Sequence, residues 1–154
     1  MNYDIIGDIH GHADELELLL KKLNYRKKGG VYENTDNRKV IFLGDFIDRG
    51  PQIRRVLHIV KDMIDASNAE AIMGNHEFNA IGWATVDSHG QPLRKHSEQN
   101  RKQHEVFLAQ VGNDIEQYQY WIDWFKRLPL FLDFGTIRAI HACWHSSSIK
   151  KLIP

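Results

Sequence analysis

The stretch Ile5-Ile6-Gly7-Asp8-Ile9-His10-Gly11 decides how the rest of the chain is understood. An apolar run stops, and an acid and an imidazole follow it two residues apart between glycines. Residues two apart in an extended segment point to the same side, so Asp8 and His10 are expected to converge on one ion while Ile9 faces the core. Gly7 and Gly11 let the backbone turn sharply beside that ion. Alone, such a stretch is first of all turn chemistry and a helix cap. What sets it apart is that the same grammar returns downstream, at Gly44-Asp45 and at Gly74-Asn75-His76-Glu77.

Each of these clusters follows a strand signal. Residues 39 to 43 are short, apolar and partly β-branched, as a buried strand should be, and run straight into Gly44-Asp45. Residues 69 to 73 deliver Gly74-Asn75 in the same way. Between the first and second clusters, Leu16, Leu19, Leu20 and Leu23 follow helical spacing over residues 13 to 23, with Asp14 and Glu15 in the first turn. After Gly50-Pro51, Ile53, Val56, Leu57, Val60 and Ile64 predict a second amphipathic helix reaching about residue 66. The rhythm is βαβ, and it puts every cluster at the C-terminal end of its strand, where open α/β sheets bind ligands.

The remaining segments are less regular. Residues 24 to 38 suggest a loop or a weak hairpin around Val31-Tyr32. Residues 80 to 117 are polar, with a helix predicted over 102 to 110, and are expected to form a cap or insertion over the sheet edge. Trp121, Trp124, Phe125 and Leu128 make a helical core stripe that Pro129 ends. Two strands, 130 to 133 and 136 to 140, join at Phe134-Gly135 and lead to a fourth polar strand end, His141-Ala142-Cys143-Trp144-His145. No element is predicted over 146 to 154.

Composition limits the possibilities. The 154 residues are 42% hydrophobic and 26% charged, which suits one globular domain over 1 to 154. Twenty Lys plus Arg balance twenty Asp plus Glu, so no global field draws the chain to nucleic acid or an anionic membrane, and anion recognition must be local. The lone Cys143 excludes an internal disulfide and fits a reducing compartment. No apolar segment is long enough to span a bilayer, so the expected setting is the cytoplasm, with no membrane partner.

Two divalent ions about 3.5 to 4 Å apart need a carboxylate to bridge them and nitrogen or oxygen ligands on either side. Asp8 and His10 are the candidates for the first ion, Asp45 for the bridge, and Asn75 and His141 for the second. Water bridging such a pair loses its proton near neutral pH and becomes the nucleophile a phosphate ester requires. His76 follows Asn75 directly, so it falls outside the ligand set yet near the substrate, where an imidazolium can protonate a leaving oxygen. Asp48 is positioned to orient His76 and raise its pKa. Arg49 offers a planar fork to two phosphate oxygens.

Each residue also has a plainer role available. Taken singly, Asp8, His10, Asp45 and Asn75 are cap or turn residues, and His141 is a satisfied histidine at a buried strand end. Asp48 and Arg49 would then be a turn salt bridge. Glu77 is expected to be structural, for instance pairing with an arginine, and His89, His96 and His104 to lie on the surface of the polar insertion.

Gly7-Asp8-Ile9-His10-Gly11, Gly44-Asp45-Phe46-Ile47-Asp48-Arg49-Gly50-Pro51 and Gly74-Asn75-His76-Glu77 together resemble, in order and spacing, the three signatures of the calcineurin-like metallophosphoesterases. The Asp-Arg-Gly form is similar to the branch containing Ser/Thr protein phosphatases, bacterial phosphatases of the lambda type and symmetrical diadenosine tetraphosphate hydrolases. The resemblance covers the first half of the chain, and His141 resembles the family's next metal histidine. It implies an αββα sandwich, a dinuclear site loaded with manganese, iron or zinc, and direct attack by metal-bound hydroxide without a phosphoenzyme. It also implies one more metal histidine on a later strand, whereas this sequence stops at Pro154. The expectation is therefore a sandwich incomplete at its C-terminus with a weakly held second ion. His145 falls outside the family's ligand pattern.

The expected activity is metal-dependent hydrolysis of a phosphate monoester or phosphoanhydride, with phosphoprotein and dinucleoside polyphosphate both open as substrates. A rival is a nuclease or polynucleotide phosphatase. The neutral net charge lacks the basic stripe such an enzyme needs, although Arg94, Lys95, Arg101 and Lys102 make a local one. From another class comes a non-catalytic, metal-stabilised binding module, expected if the second site is incomplete.

Overall fold

The run Val40-Ile41-Phe42 is wholly buried because it lies on the middle strand of a parallel sheet. In the computed structural model, which describes residues 2–152, β4 (Lys39–Phe42) is flanked by β1 (Tyr3–Ile6) and β5 (Ala69–Ala71). The register sets Ile6 beside Phe42 and Phe42 beside Ala71. The three strands therefore end level, and the loops that leave them share one edge. Alternation along β4 sends Val40 and Phe42 into the main core, with Ile6, Ala69 and Ala71 from the neighbouring strands. Ile41 is buried outside that core, on the other face, where its β1 neighbour Ile5 is 57% exposed.

The crossovers are α1 (Ala13–Lys22) and α2 (Ile53–Asp65), whose Leu16, Leu20, Val56, Leu57 and Val60 join the main core. In α1, Asp14 and Glu15 in the first turn and Lys21 and Lys22 in the last suit the helix dipole. Residues 24 to 38 do form a hairpin, β2 (Tyr25–Lys28) with β3 (Val31–Asn34). Its turn falls at Gly29-Gly30, and Val31 and Tyr32 are strand residues.

Beyond β5 the structure is more helical than predicted. Asn75 opens α3 (Asn75–Ala84), and α4 (Glu98–Phe107) starts before residue 102 because Ser97 caps it, its hydroxyl accepting the Asn100 N–H at 3.2 Å. A π-helical turn, Leu108–Gly112, leads to α5 (Ile115–Arg127). Trp121 and Phe125 of α5 are fully buried, and Trp124 lies 6.1 Å from Phe46, which anchors the aromatic stripe to the core. The last strands, β6 (Phe131–Asp133) and β7 (Arg138–Ile140), form an antiparallel hairpin. It is tied to the parallel sheet where Met73 N–H donates to the Pro129 carbonyl at 2.8 Å and where Phe134 stacks on Tyr3. A helix, α6 (Ser146–Leu152), occupies a stretch where none was predicted, with Ile149 as its buried residue; positions 153 and 154 lie outside the described residues.

The class is α/β, as expected. Among the described residues, the strands form the three-stranded parallel sheet and two antiparallel hairpins, β2–β3 and β6–β7. No described helix is long and apolar enough to cross a membrane.

Candidate metal centre

The loops after β1 and β4 hold an unusual backbone. His10, Asp45, Asp48 and Arg49 all have positive φ, at 47°, 55°, 67° and 63°. Such conformations cost of order 1 to 3 kcal/mol each for residues other than glycine and persist only where surrounding bonds impose them. Here the loops impose them on each other. The N–H groups of Ile9 and His10 both donate to the Asp45 carbonyl, at 3.0 and 2.9 Å, and Gly50 N–H donates to the His10 carbonyl at 2.7 Å. The loops approach so closely that a Cβ on Gly44 would lie 2.2 Å from the Gly74 nitrogen, and one on Gly50 2.4 Å from the His10 oxygen.

This corrects the first expectation. β1 ends at Ile6, so Asp8 and His10 are not brought together by strand alternation but by the left-handed turn at His10. Gly7 takes no part in that turn and would accept a Cβ without contact. Ile9 does face the core, as expected.

Glu77 is the staple beneath the loops. Wholly buried, its carboxylate accepts from the N–H groups of Asp45 and Phe46, each at 2.8 Å, and of Gly74 at 3.0 Å. It is structural, but its partners are three backbone donors rather than an arginine. Burial pushes its carboxyl up to about 6, the backbone donors pull against that, and the Asp45 charge adds to it.

The donors gather as two overlapping triads that share Asp45. His10, Asp45 and His76 each offer an atom within 4.8 Å of the others, and so do Asp8, Asp45 and His141. Asp45 Oδ1 accepts the His76 N–H at 2.9 Å, at the start of α3, which leaves Oδ2 between two imidazoles. It lies 3.7 Å from His10 Nε2 and 3.5 Å from His141 Nε2. Asp8 Oδ2 is also 3.7 Å from His10 Nε2, and Asn75 Oδ1 is 2.9 Å from His141 Nε2. All five residues proposed as ligands thus meet, although Asp8 groups with His141 as well as with His10.

The donor set fits cations. His10 Nδ1 donates to the Ile47 carbonyl at 2.8 Å and His141 Nδ1 to the Leu43 carbonyl at 2.7 Å. A neutral imidazole donates once, so in a neutral His10 this bond leaves Nε2 a lone pair. His10 Nε2 is buried with no hydrogen-bond partner, facing carboxylate oxygens too far away to bond it. Converging lone pairs are repulsive until a cation lies among them. Donors bound at about 2.1 Å to a shared ion sit about 3 to 3.5 Å apart, close to the spacing found here.

His76, a member of the first triad, also has its Nδ1 2.6 Å from Asp48 Oδ2, and its ring meets that of His10 edge-on at 4.6 Å. The Asp48 bond raises the His76 pKa above its usual value, burial opposes this, and the Asp45 charge adds to it. Asp48 is almost fully buried, which by itself would raise its pKa; hydrogen bonds from His104 and His76 outweigh burial and hold it below the ordinary carboxylate value. These groups wall a cavity of about 400 Å³ that Arg49, Asn75, Asn79, Arg94 and Lys102 also line. Arg49 is exposed at its margin.

His104 was expected on the surface and is not there. It is 4% exposed, with Nδ1 3.1 Å from Asp48 Oδ1. The signal was present in its spacing from Phe107 and Val111, three and seven residues on, both fully buried. His89 and His96 are exposed as expected, His96 stacking on Trp83. His145 is exposed and bonds Ser147 and Ser148.

A family model described as calcineurin-like phosphoesterase matches residues 1–151. The asymmetrical bis(5'-nucleosyl)-tetraphosphatase PrpE of Oceanobacillus iheyensis is 34% identical over 158 residues, covering 99% of this chain and 59% of that protein. The cold-active protein-tyrosine phosphatase of a psychrophilic Shewanella species superposes with TM-score 0.59 at 19% identity, over 99% of this chain and 46% of that one. A protein serine/threonine phosphatase of Saccharomyces cerevisiae superposes with TM-score 0.54 at 20% identity, over 84% and 33%. The chain thus spans 59% of the length of this curated relative. The match over residues 1–151 runs from the strand before Asp8 past His141, and on it the chain belongs to the calcineurin-like phosphoesterases.

Proposed function

We propose that the chain hydrolyses phosphate esters or phosphoanhydrides, with a dinucleoside polyphosphate as substrate, and that Asp8, His10, Asp45, Asn75 and His141 hold two divalent cations for this purpose. The observation that carries it is Asp45 Oδ2, set between the Nε2 atoms of His10 and His141 beside the His76–Asp48 pair. When bound, the ions supply Lewis-acid polarisation and a lowered water pKa. Nitrogen and oxygen donors without a thiolate suit manganese, with iron or zinc also compatible.

The chain's own groups do the rest. Hydrolysis puts the oxygen of one water on phosphorus, breaks the bond to the leaving oxygen, and requires a proton at that oxygen. His76 is the donor: Asp48 holds its Nδ1–H, which leaves Nε2 for the substrate. Arg49 clamps the phosphoryl oxygens, and Arg94 and Lys102 extend the positive lining along the same cavity, which favours a substrate with several phosphates. Arg94, Lys102 and Gln103 come from the polar segment between α3 and α5, which acts as a cap on the site. The activity for which the PrpE relative is named supports the same substrate class. We infer a cytoplasmic setting, in which the lone Cys143 stays reduced.

The test is incubation with manganese and diadenosine tetraphosphate, p-nitrophenyl phosphate, its bis ester or a phosphopeptide, with products separated by chromatography. Release of nucleotides from the tetraphosphate, as equal or unequal products, supports the assignment. Faster turnover of the bis ester would redirect it to a diesterase, and bound manganese with no turnover of any substrate to a metal-stabilised binding module.

A further inference from the structure

Asp48 is shared. His76 takes one of its carboxylate oxygens and His104 the other, at 2.6 and 3.1 Å. We propose that His104 is a positioning residue: from α4 it fixes the plane of the Asp48 carboxylate and so keeps His76 in the orientation that serves proton transfer. The inference rests on His76 being the proton donor.

A carboxylate turns easily about its Cβ–Cγ bond, since that torsion is broad. One imidazole alone leaves this freedom. A second, on the opposite oxygen, removes it. His104 can do so because its own ring is held, stacked on Phe107 at 4.9 Å and tilted against Trp83 at 5.7 Å. Trp83 belongs to α3, the helix that carries His76.

The position is poorly suited to a packing role alone. His104 Nε2 is buried with no hydrogen-bond partner, a cost that leucine or phenylalanine would avoid. α4 is also tied to the loop that carries Asp48. In the π-helical turn that follows it, Gln110 donates to the Gly50 carbonyl at 3.0 Å and accepts the Ile53 N–H at 2.8 Å. Such turns recur where a helix must place a functional group.

The experiment compares His104→Leu and His104→Asn, each alone and with His76→Asn, in the manganese-loaded chain. The asparagine amide nitrogen reaches about where the histidine Nδ1 lies. For His104→Leu, kcat on phenyl phosphate should fall about 10- to 100-fold with KM within about two-fold, and far less on 2,4-dinitrophenyl phosphate, whose leaving group needs no proton. His104→Asn should recover most of the loss. In the His76→Asn background, His104→Leu should add less than about two-fold. The same loss in both backgrounds, or on both substrates, overturns the inference and leaves the His76 assignment standing.

A readout independent of turnover is the low-field proton resonance of His76 Nδ1–H, recorded in the metal-free chain. It should be shifted or broadened in His104→Leu and kept in His104→Asn. An unchanged resonance in His104→Leu overturns the positioning role. A chain that hydrolyses none of the phosphates yet shows the predicted resonance pattern would refute the proposed activity and not the geometry.

Discussion

Glu77→Gln is expected to destabilise the chain by about 2 to 4 kcal/mol. The figure follows from which oxygen does what. Oε2 accepts from Asp45 N–H and Gly74 N–H, and Oε1 from Phe46 N–H. Glutamine keeps one oxygen, which can take the Oε2 place and preserve two bonds. Its amide NH2 then faces the Phe46 N–H, so one charge-assisted bond is lost and one buried donor is stranded, at about 1 to 2 kcal/mol for each effect. Urea unfolding followed by tryptophan fluorescence reads this directly. With a slope of about 2 kcal/mol per molar, the midpoint should drop by about 1 to 2 M. The difference should also depend on pH in the metal-free protein. Glu77 titrates at about 6 when folded, above its unfolded value of about 4.3, so the folded state binds more protons across that window. Stability from this group therefore falls as pH rises from about 4.3 to 6, and the wild-type margin over Glu77→Gln widens as pH is lowered. A midpoint within about 0.3 M of wild type, or a margin that widens with rising pH, would refute the staple.

Asp45→Asn should abolish turnover and lower metal content, because it removes the charge shared by both triads while keeping the Oδ1 that caps α3; metal analysis showing full occupancy would count against the bridge. His76→Asn should retain both ions and slow the reaction about 10² to 10⁴-fold, least for good leaving groups. Loss of one ion would instead make His76 a ligand. Glu17 is buried, which alone would raise its pKa, but bonds from Tyr32 and Arg55 hold it below its usual value. Its contribution is therefore complete above about pH 4.3 and lost as pH falls through the lower folded value. The stability gap between wild type and Glu17→Gln, measured by chemical unfolding across pH, should be full at neutrality and close under acid; a gap unchanged down to about pH 2 would contradict this.

Asp8, Asp45 and Asn75 are legible in the sequence because each follows an apolar run, and parallel strands that end level bring such residues to one edge; His141 also follows an apolar run, but on β7 of the antiparallel hairpin. How Asp8 meets His10 is not legible, since the meeting depends on a left-handed turn that only contacts with the Asp45 loop enforce. The helical stripe of Trp121 and Phe125 can be foreseen from spacing alone. The helix that Asn75 opens cannot, because Asn75-His76-Glu77 spells a polar cluster and its helix start is imposed by Asp45 and Glu77 from across the loops. His104 is hidden by polar neighbours, Gln103 and Glu105, although its spacing to Phe107 marks the buried face.

The central claim is that groups far apart in the chain surround a pair of cations. Crystals grown with manganese chloride and measured at an energy where manganese scatters anomalously test it most directly. Two anomalous peaks about 3.5 to 4 Å apart on either side of Asp45 Oδ2 are predicted. A map with no peak at Asp45, or with manganese bound only at other carboxylates, would contradict the account.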